Sequence, residues 1–134
     1  MSWMNAGNPI AITKAISSVA ANAEQEKMVG TFSQDVRIIA AYLIPDTAMV
    51  TDTDSGYALD LAVHDTGGTL ATTVATYTAT TAAGTNPATV RVPLTVITSQ
   101  STVTAGKVLT YKERTIGTGT ARSNGQLVVE YTIQ

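Results

Sequence analysis

The chain has 134 residues, room for one ordinary domain and too few for two. It has no cysteine and a single histidine, His64, which excludes disulfides, thiolate metal sites, cysteine nucleophiles and any chemistry that needs a histidine pair. The net charge is −2 and only 13% of residues are charged, so nucleic acid is not an expected partner, because phosphate binding needs a basic surface. Composition leans to small and β-favouring types, with 24 Thr, 19 Ala and 13 Val against one Trp and one Phe. A core this thin in aromatics gains less from burial, and a surface this poor in charge suits a chain covered by neighbours.

Residues 1–9, ending in Gly7-Asn8-Pro9, carry no periodicity and read as an extended N-terminal arm. The start lacks the basic residues and apolar block of a secretory signal, and no apolar run is long enough for a membrane helix. Trp3 is the one tryptophan. It anchors the arm on a partner, where tryptophan is favoured, or packs back on its own domain. Residues 10–23 fit two periods. Ile12, Ile16, Val19 and Ala23 share a helical face, while Ile10, Ile12, Lys14 and Ile16 alternate as in a strand. The β-branched content tips the balance toward strand.

From Asp35 onward the pattern is β. Val36, Ile38, Ala40 and Tyr42 alternate with Arg37, Ile39, Ala41 and Leu43, apolar on both faces, which predicts a strand covered on both sides. Asp52 to Gly56 reads as a turn. Tyr57, Leu59, Leu61 and Val63 then alternate with Ala58, Asp60, Ala62 and His64, a strand buried on one side, and Asp65-Thr-Gly-Gly68 predicts a hairpin into Leu70–Ala79. Thr80 to Pro87 is a small-residue loop. Val90, Val92, Leu94 and Val96 form an inward row, with Pro93 marking an edge strand. Leu109 and Tyr111 share a face, Gly117 and Gly119 allow bulges, and Asn124-Gly125 is a hairpin signal into Leu127, Val129, Tyr131 and Ile133. About six to eight short strands mean an all-β fold, an antiparallel β-sandwich or jelly-roll-like barrel over residues 10–134, carrying the arm.

Candidate chemistry is sparse. Asp60 and His64 share a strand face but stand roughly 13 Å apart along it, and no Gly-x-Ser-x-Gly elbow accompanies them. Asp52-x-Asp54-x-Gly56 resembles the start of a calcium loop, yet Val63 stands where the closing Glu belongs, so a turn held by side-chain hydrogen bonds is expected and no metal site. Gly117-x-Gly119 lacks the third glycine and following helix of a phosphate loop, which leaves structural glycines. Glu113, beside Arg114 and near Lys112, reads as part of a surface pair. Lys107, Lys112, Arg114 and Arg122 gather late in the chain, as a solvated face or a positive patch for an acidic partner. No catalytic group and no cofactor are expected.

Several segments taken in order resemble the small β-sandwich decoration (cement) proteins of tailed-bacteriophage capsids. They are Val36-Arg-Ile-Ile-Ala-Ala-Tyr-Leu-Ile-Pro45; Tyr57-Ala-Leu-Asp-Leu-Ala-Val-His64 with Asp65-Thr-Gly-Gly-Thr69; Val103-Thr-Ala-Gly-Lys-Val-Leu109; Ile116-Gly-Thr-Gly119; and the terminal strand from Gly125. The Met28-Val-Gly30 step is similar too. Lys107 departs from the pattern, standing where the turn often carries Asp. The resemblance implies a non-enzymatic virion protein on the capsid outer surface. It would sit there as a homotrimer at threefold or quasi-threefold positions, clamping neighbouring major capsid protein subunits, with no nucleic acid or membrane partner. Trp3, Ile10 and Ile12 are the residues expected to hold the arm on that partner, and Tyr42, Leu59, Leu61, Val92, Leu109, Val129 and Tyr131 are expected in the core. A tail, baseplate or head-fibre subunit would share the fold and low charge, and a carbohydrate-binding module would need an exposed aromatic row.

Overall fold

The computed structural model describes residues 8–65, 67, 71–80 and 84–134. Eleven strands account for most of the described residues. They are β1 (Ile10–Ile16), β2 (Gln25–Thr31), β3 (Val36–Pro45), β4 (Met49–Val50), β5 (Ser55–His64), β6 (Ala71–Ala79), β7 (Thr85–Asn86), β8 (Val92–Val96), β9 (Thr102–Val103), β10 (Val108–Gly117) and β11 (Gly125–Ile133). All pairings are antiparallel, in the order β1-β11-β3-β8-β6-β5-β10-β2, with β9 added to β3 and a separate β4–β7 ribbon. The fold is all-β, a sandwich whose sheet curls almost into a barrel.

Strand β8 joins the two halves. Residues 92–94 pair with β3, and residues 95–96 pair with β6. A strand that changes sheets in this way makes the corner of an orthogonally closing sandwich. The expectation that Pro93 marks an edge is therefore corrected. β8 lies mid-order, and Pro93 is tolerated because its stretch is paired on the β3 side alone.

Alternation places the inner rows. Ile16 from β1, Leu127 and Val129 from β11, and Val36, Ile38 and Leu43 from β3 face Tyr57, Leu59 and Leu61 from β5 and Leu109 and Tyr111 from β10, all buried. Each buried Leu or Ile contributes about 1.5–3 kcal/mol over its exposed state. Residues 10–16 are a strand, with Ile10, Ile12, Lys14 and Ile16 turned inward as the period-2 reading had it. Five of the seven expected core residues are buried; Tyr131 packs against the core at its margin, edge-on to Phe32 at 4.9 Å between ring centroids.

Tyr42 is the exception. Opposite Glu130 and Tyr131, β3 carries one residue too many, so Ile39 has no partner and the alternation changes phase. Val36 and Ile38 point in before this bulge; Ala41, Leu43 and Pro45 point in after it, and Tyr42 faces out with Arg91 stacked 4.2 Å from its ring centre. The strand is covered on one side, not both. Two further expectations are corrected. Asn124-Gly125 makes no hairpin, since β11 pairs with β1 and β3 while β10 pairs with β2 and β5. Strand β5 is buried on both faces except at its ends, because the outward Ala58 and Ala62 are short and overlain by longer neighbours.

Candidate functional site

The two outer faces of the sandwich differ in chemistry. On the β1-β11-β3 side, cross-strand register sets Thr13, Val128, Tyr42 and Pro93 in one row, Ala15, Gln126 and Ile44 in the next, and Ala11, Glu130 and Ala40 in a third. Glu130 is the single charge within these three rows, while Arg91 lies over Tyr42 and Arg37 stands outward beside Thr132. Tyr42, Ile44 and Val128 are half-buried, and Ile39 is pushed outward by the bulge beside them.

The outer face of β2-β10-β5-β6 is charged. Thr110 pairs with Ala62 on β5 and with Met28 on β2, and Lys112 pairs with Asp60 and Glu26. The strands that flank this β10–β5 pair, β2 and β6, each carry a bulge at this level. Val29 is the extra residue on β2, opposite Leu109/Thr110, and Val74 is the extra residue on β6, opposite Leu61/Ala62. Both turn inward with the residue that follows. Bulges of this kind bend a sheet and re-aim its side chains. Between them lies a trough of about 260 Å³, floored by Ala62, Thr73 and Thr110 and rimmed by Glu26, Asp60, His64, Lys112 and Arg114.

Within that rim the acids are largely occupied. Glu26 Oε1 lies 2.8 Å from His64 Nε2. Asp60 accepts from Thr76 Oγ1 at 2.7 Å and from Arg114 Nε on its other oxygen, and this partner pushes the Arg114 guanidinium pKa upward. Lys107 pairs with Asp65 at 3.2 Å, at the end of the same face. Lys112 has no ion-pair or hydrogen-bond partner among the described residues, and neither does the buried Thr110 hydroxyl.

Of the four basic residues expected to gather, Lys107, Lys112 and Arg114 share this outer face and Arg122 does not. Arg114 and Lys107 are matched by acids, Lys112 stands open, and Arg122 is inside the protein. Glu113 is not a surface residue either. Its carboxylate and the Arg122 guanidinium are both fully buried, with Nε 3.4 Å from Oε2. Arg122 also donates to the Thr120 carbonyl at 2.6 Å and to the Ala23 carbonyl, while Tyr111 donates to Glu113 Oε1 at 3.1 Å. Burial pushes the Glu113 pKa up, against the hydrogen bonds and positive charge that lower it, and burial raises Tyr111 strongly. Alternation held the signal: Glu113 occupies the same inward row as Leu109 and Tyr111, where a charge requires a buried partner. The cluster ties the β1–β2 turn to the approach to β11, where Val19 and Arg122 also exchange backbone hydrogen bonds at 2.9 Å.

Of the residues expected to hold the arm, Trp3 lies outside the described residues. Ile10 and Ile12 belong to β1, opposite Tyr131 and Val129, half-buried on its inner face. Asp52 Oδ1 accepts from the Asp54 amide at 2.9 Å, the self-bonded turn expected there. Among the described residues no three acidic or histidine side chains converge as metal ligands. Gly117 and Gly119 have φ of +63° and +81°, a structural use of glycine. The tyrosines form no exposed row. Tyr57 and Tyr111 are buried, Tyr77 and Tyr131 pack against the core, and Tyr42 lies under Arg91.

No family model matches the chain, and neither does any curated protein. Among solved structures it is similar to "Structure of infectious bursal disease virus Gx strain", at 12% identity and a TM-score of 0.49. That likeness covers 96% of this chain and 33% of the other, so this chain spans about a third of the length of the one it matches.

Proposed function

We infer that the protein is a non-enzymatic structural subunit of a virus particle. It binds the outside of an assembled phage capsid and clamps neighbouring major capsid protein subunits, as a homotrimer at threefold or quasi-threefold positions. The observation that carries this reading is the contrast between the two outer faces. The β1-β11-β3 side is a sparsely charged, partly apolar sheet surface, with Glu130 in its rows, Arg91 over Tyr42 and Arg37 at its end, nearer the composition of an interface centre than the opposite side is. The opposite side, charged and internally paired, suits solvent. The segments that resemble the decoration proteins support it as well: the longest of them form β3, β5, the start of β10 and β11, the strands that build both halves of the sandwich.

Such a subunit acts by linkage. Whatever binds the assembled shell and not its dispersed subunits stabilises the shell, and a trimer multiplies weak contacts through effective concentration. Copy number tests the reading: this chain is quantified against the major shell protein in purified particles. A ratio of one, or a simple fraction of it, is expected. A handful of copies moves the protein to the tail, vertex or fibre, and absence from particles overturns the virion role. Val128→Glu, a charge set in the middle of this sparsely charged face, is expected to lower shell occupancy about tenfold or more without loss of fold. Unchanged occupancy would show that this face does not touch the shell.

A further inference from the structure

The charged face holds a feature that shell binding leaves unused. Between the bulges at Val29 and Val74, the trough contains a buried hydroxyl, Thr110 Oγ1, and an ammonium, Lys112, neither with a partner among the described residues. Thr110 is 8% exposed, and a buried hydroxyl left unsatisfied is unfavourable until something hydrogen-bonds to it. The two bulges fall at the level of the Thr110–Ala62 pair, on the strands that flank it, which makes the depression a built feature of the sheet.

The chemistry of the occupant follows from what is free. Both Asp60 oxygens are engaged, and Glu26 holds His64 with one oxygen. The remaining capacity is mostly donor: the Lys112 ammonium, the terminal nitrogens of Arg114, and the Thr73 and Thr110 hydroxyls. A carboxylate complements such a set through charge-assisted hydrogen bonds. The free Glu26 oxygen and the threonine hydroxyls are left for groups that both donate and accept, which are alcohols. A volume of about 260 Å³ admits one pyranose ring. Among the described residues no tyrosine, tryptophan or phenylalanine lines the trough, and the His64 imidazole is held by Glu26, so recognition runs through charge and hydroxyls.

We propose that this trough is a binding site for an acidic sugar, one uronic-acid-type residue of a saccharide, with its carboxylate on Lys112 and Thr110 and its hydroxyls on Thr73 and Glu26. The site does not depend on the shell-binding role, and its test uses the full chain in solution, away from any particle.

The experiment titrates isotope-labelled protein with glucuronate, glucose and acetate in parallel, following backbone amide shifts. Glucuronate is expected to give saturable shifts confined to residues 26–28, 60–64, 71–73 and 110–114, with glucose and acetate at least about tenfold weaker. Lys112→Met is expected to weaken glucuronate binding about tenfold, and Thr110→Val a few-fold, with the unfolding temperature of each variant as the control for fold. Four results overturn the proposal. They are no shifts in the trough at tens of millimolar glucuronate, acetate binding as well as glucuronate (an adventitious anion only), glucose binding equally well, or Lys112→Met binding unchanged.

Discussion

Replacing Arg122 with methionine is expected to destabilise the protein by about 3–5 kcal/mol, read as a fall in Tm of about 10–20 °C. The loss is larger than for a surface arginine because the guanidinium is fully buried and satisfies three groups at once: the Glu113 carboxylate and the carbonyls of Thr120 and Ala23. Removing it leaves a carboxylate with no opposite charge in the core. The pH dependence separates this cause from simple loss of packing. A carboxyl whose pKa is raised on folding stabilises the fold below its unfolded pKa, and that contribution disappears as pH rises through the folded value. Glu113 is already raised by burial, and Arg122 works against the shift. Without Arg122 it rises further, so the deficit of the variant is expected to be greatest at neutral pH and to narrow as pH falls into the ordinary carboxylate range. Denaturant unfolding at the two pH values measures it, and an equal deficit at both would assign the loss to packing. Adding Glu113→Gln to Arg122→Met is expected to recover much of the neutral-pH loss.

Gly119→Ala carries the second large effect. A methyl group at this position would stand 1.8 Å from the Ala21 carbonyl oxygen, and the residue has φ +81°, so both space and backbone conformation are closed to a side chain. The expected cost is about 3 kcal/mol or more. Gly106 provides the control. Its φ is +85°, but nothing lies within 4 Å of where a Cβ would be, so Gly106→Ala costs only the left-handed backbone penalty, about 1 kcal/mol. Urea midpoints of the two variants measure the difference. Equal midpoints would show that the Ala21 turn yields freely, and that the buried arginine does not hold it in place.

Most of the strands could be read from alternation, because β5, β8 and β11 each keep a strict inward row against the core. Strand β2 could not. Its sequence, Gln25-Glu-Lys-Met-Val-Gly-Thr31, is a polar edge with one fully inward aliphatic, Val29, and an edge strand packed on little shows little periodicity. Bulges defeated the phase of β3: a single extra residue at Ile39 reverses which side chains meet the core, and nothing local to that stretch announces it. The same limit hid the trough, whose shape comes from bulges on two strands more than forty residues apart in sequence, Val29 and Val74. The Arg122–Glu113 pair was half visible. Glu113 falls in the inward row of β10, but its partner comes from an irregular segment with no period to place it.

One consequence of the topology concerns the order in which the chain can fold as it is made. Strand β11 lies between β1 and β3, with Ile16 against Gly125 and Ile10 against Tyr131. Among the described residues β1 therefore has no ladder partner until β11, more than a hundred residues later, has emerged from the ribosome. Until then β1 and one side of β3 present unpaired edges, open to pairing with other nascent chains. Contacts this distant in sequence also place folding in the millisecond-to-second range of β-sandwiches. The half-sheet that carries the sparsely charged face therefore stays open until β11 has been made, and it is the last part of the sandwich to close.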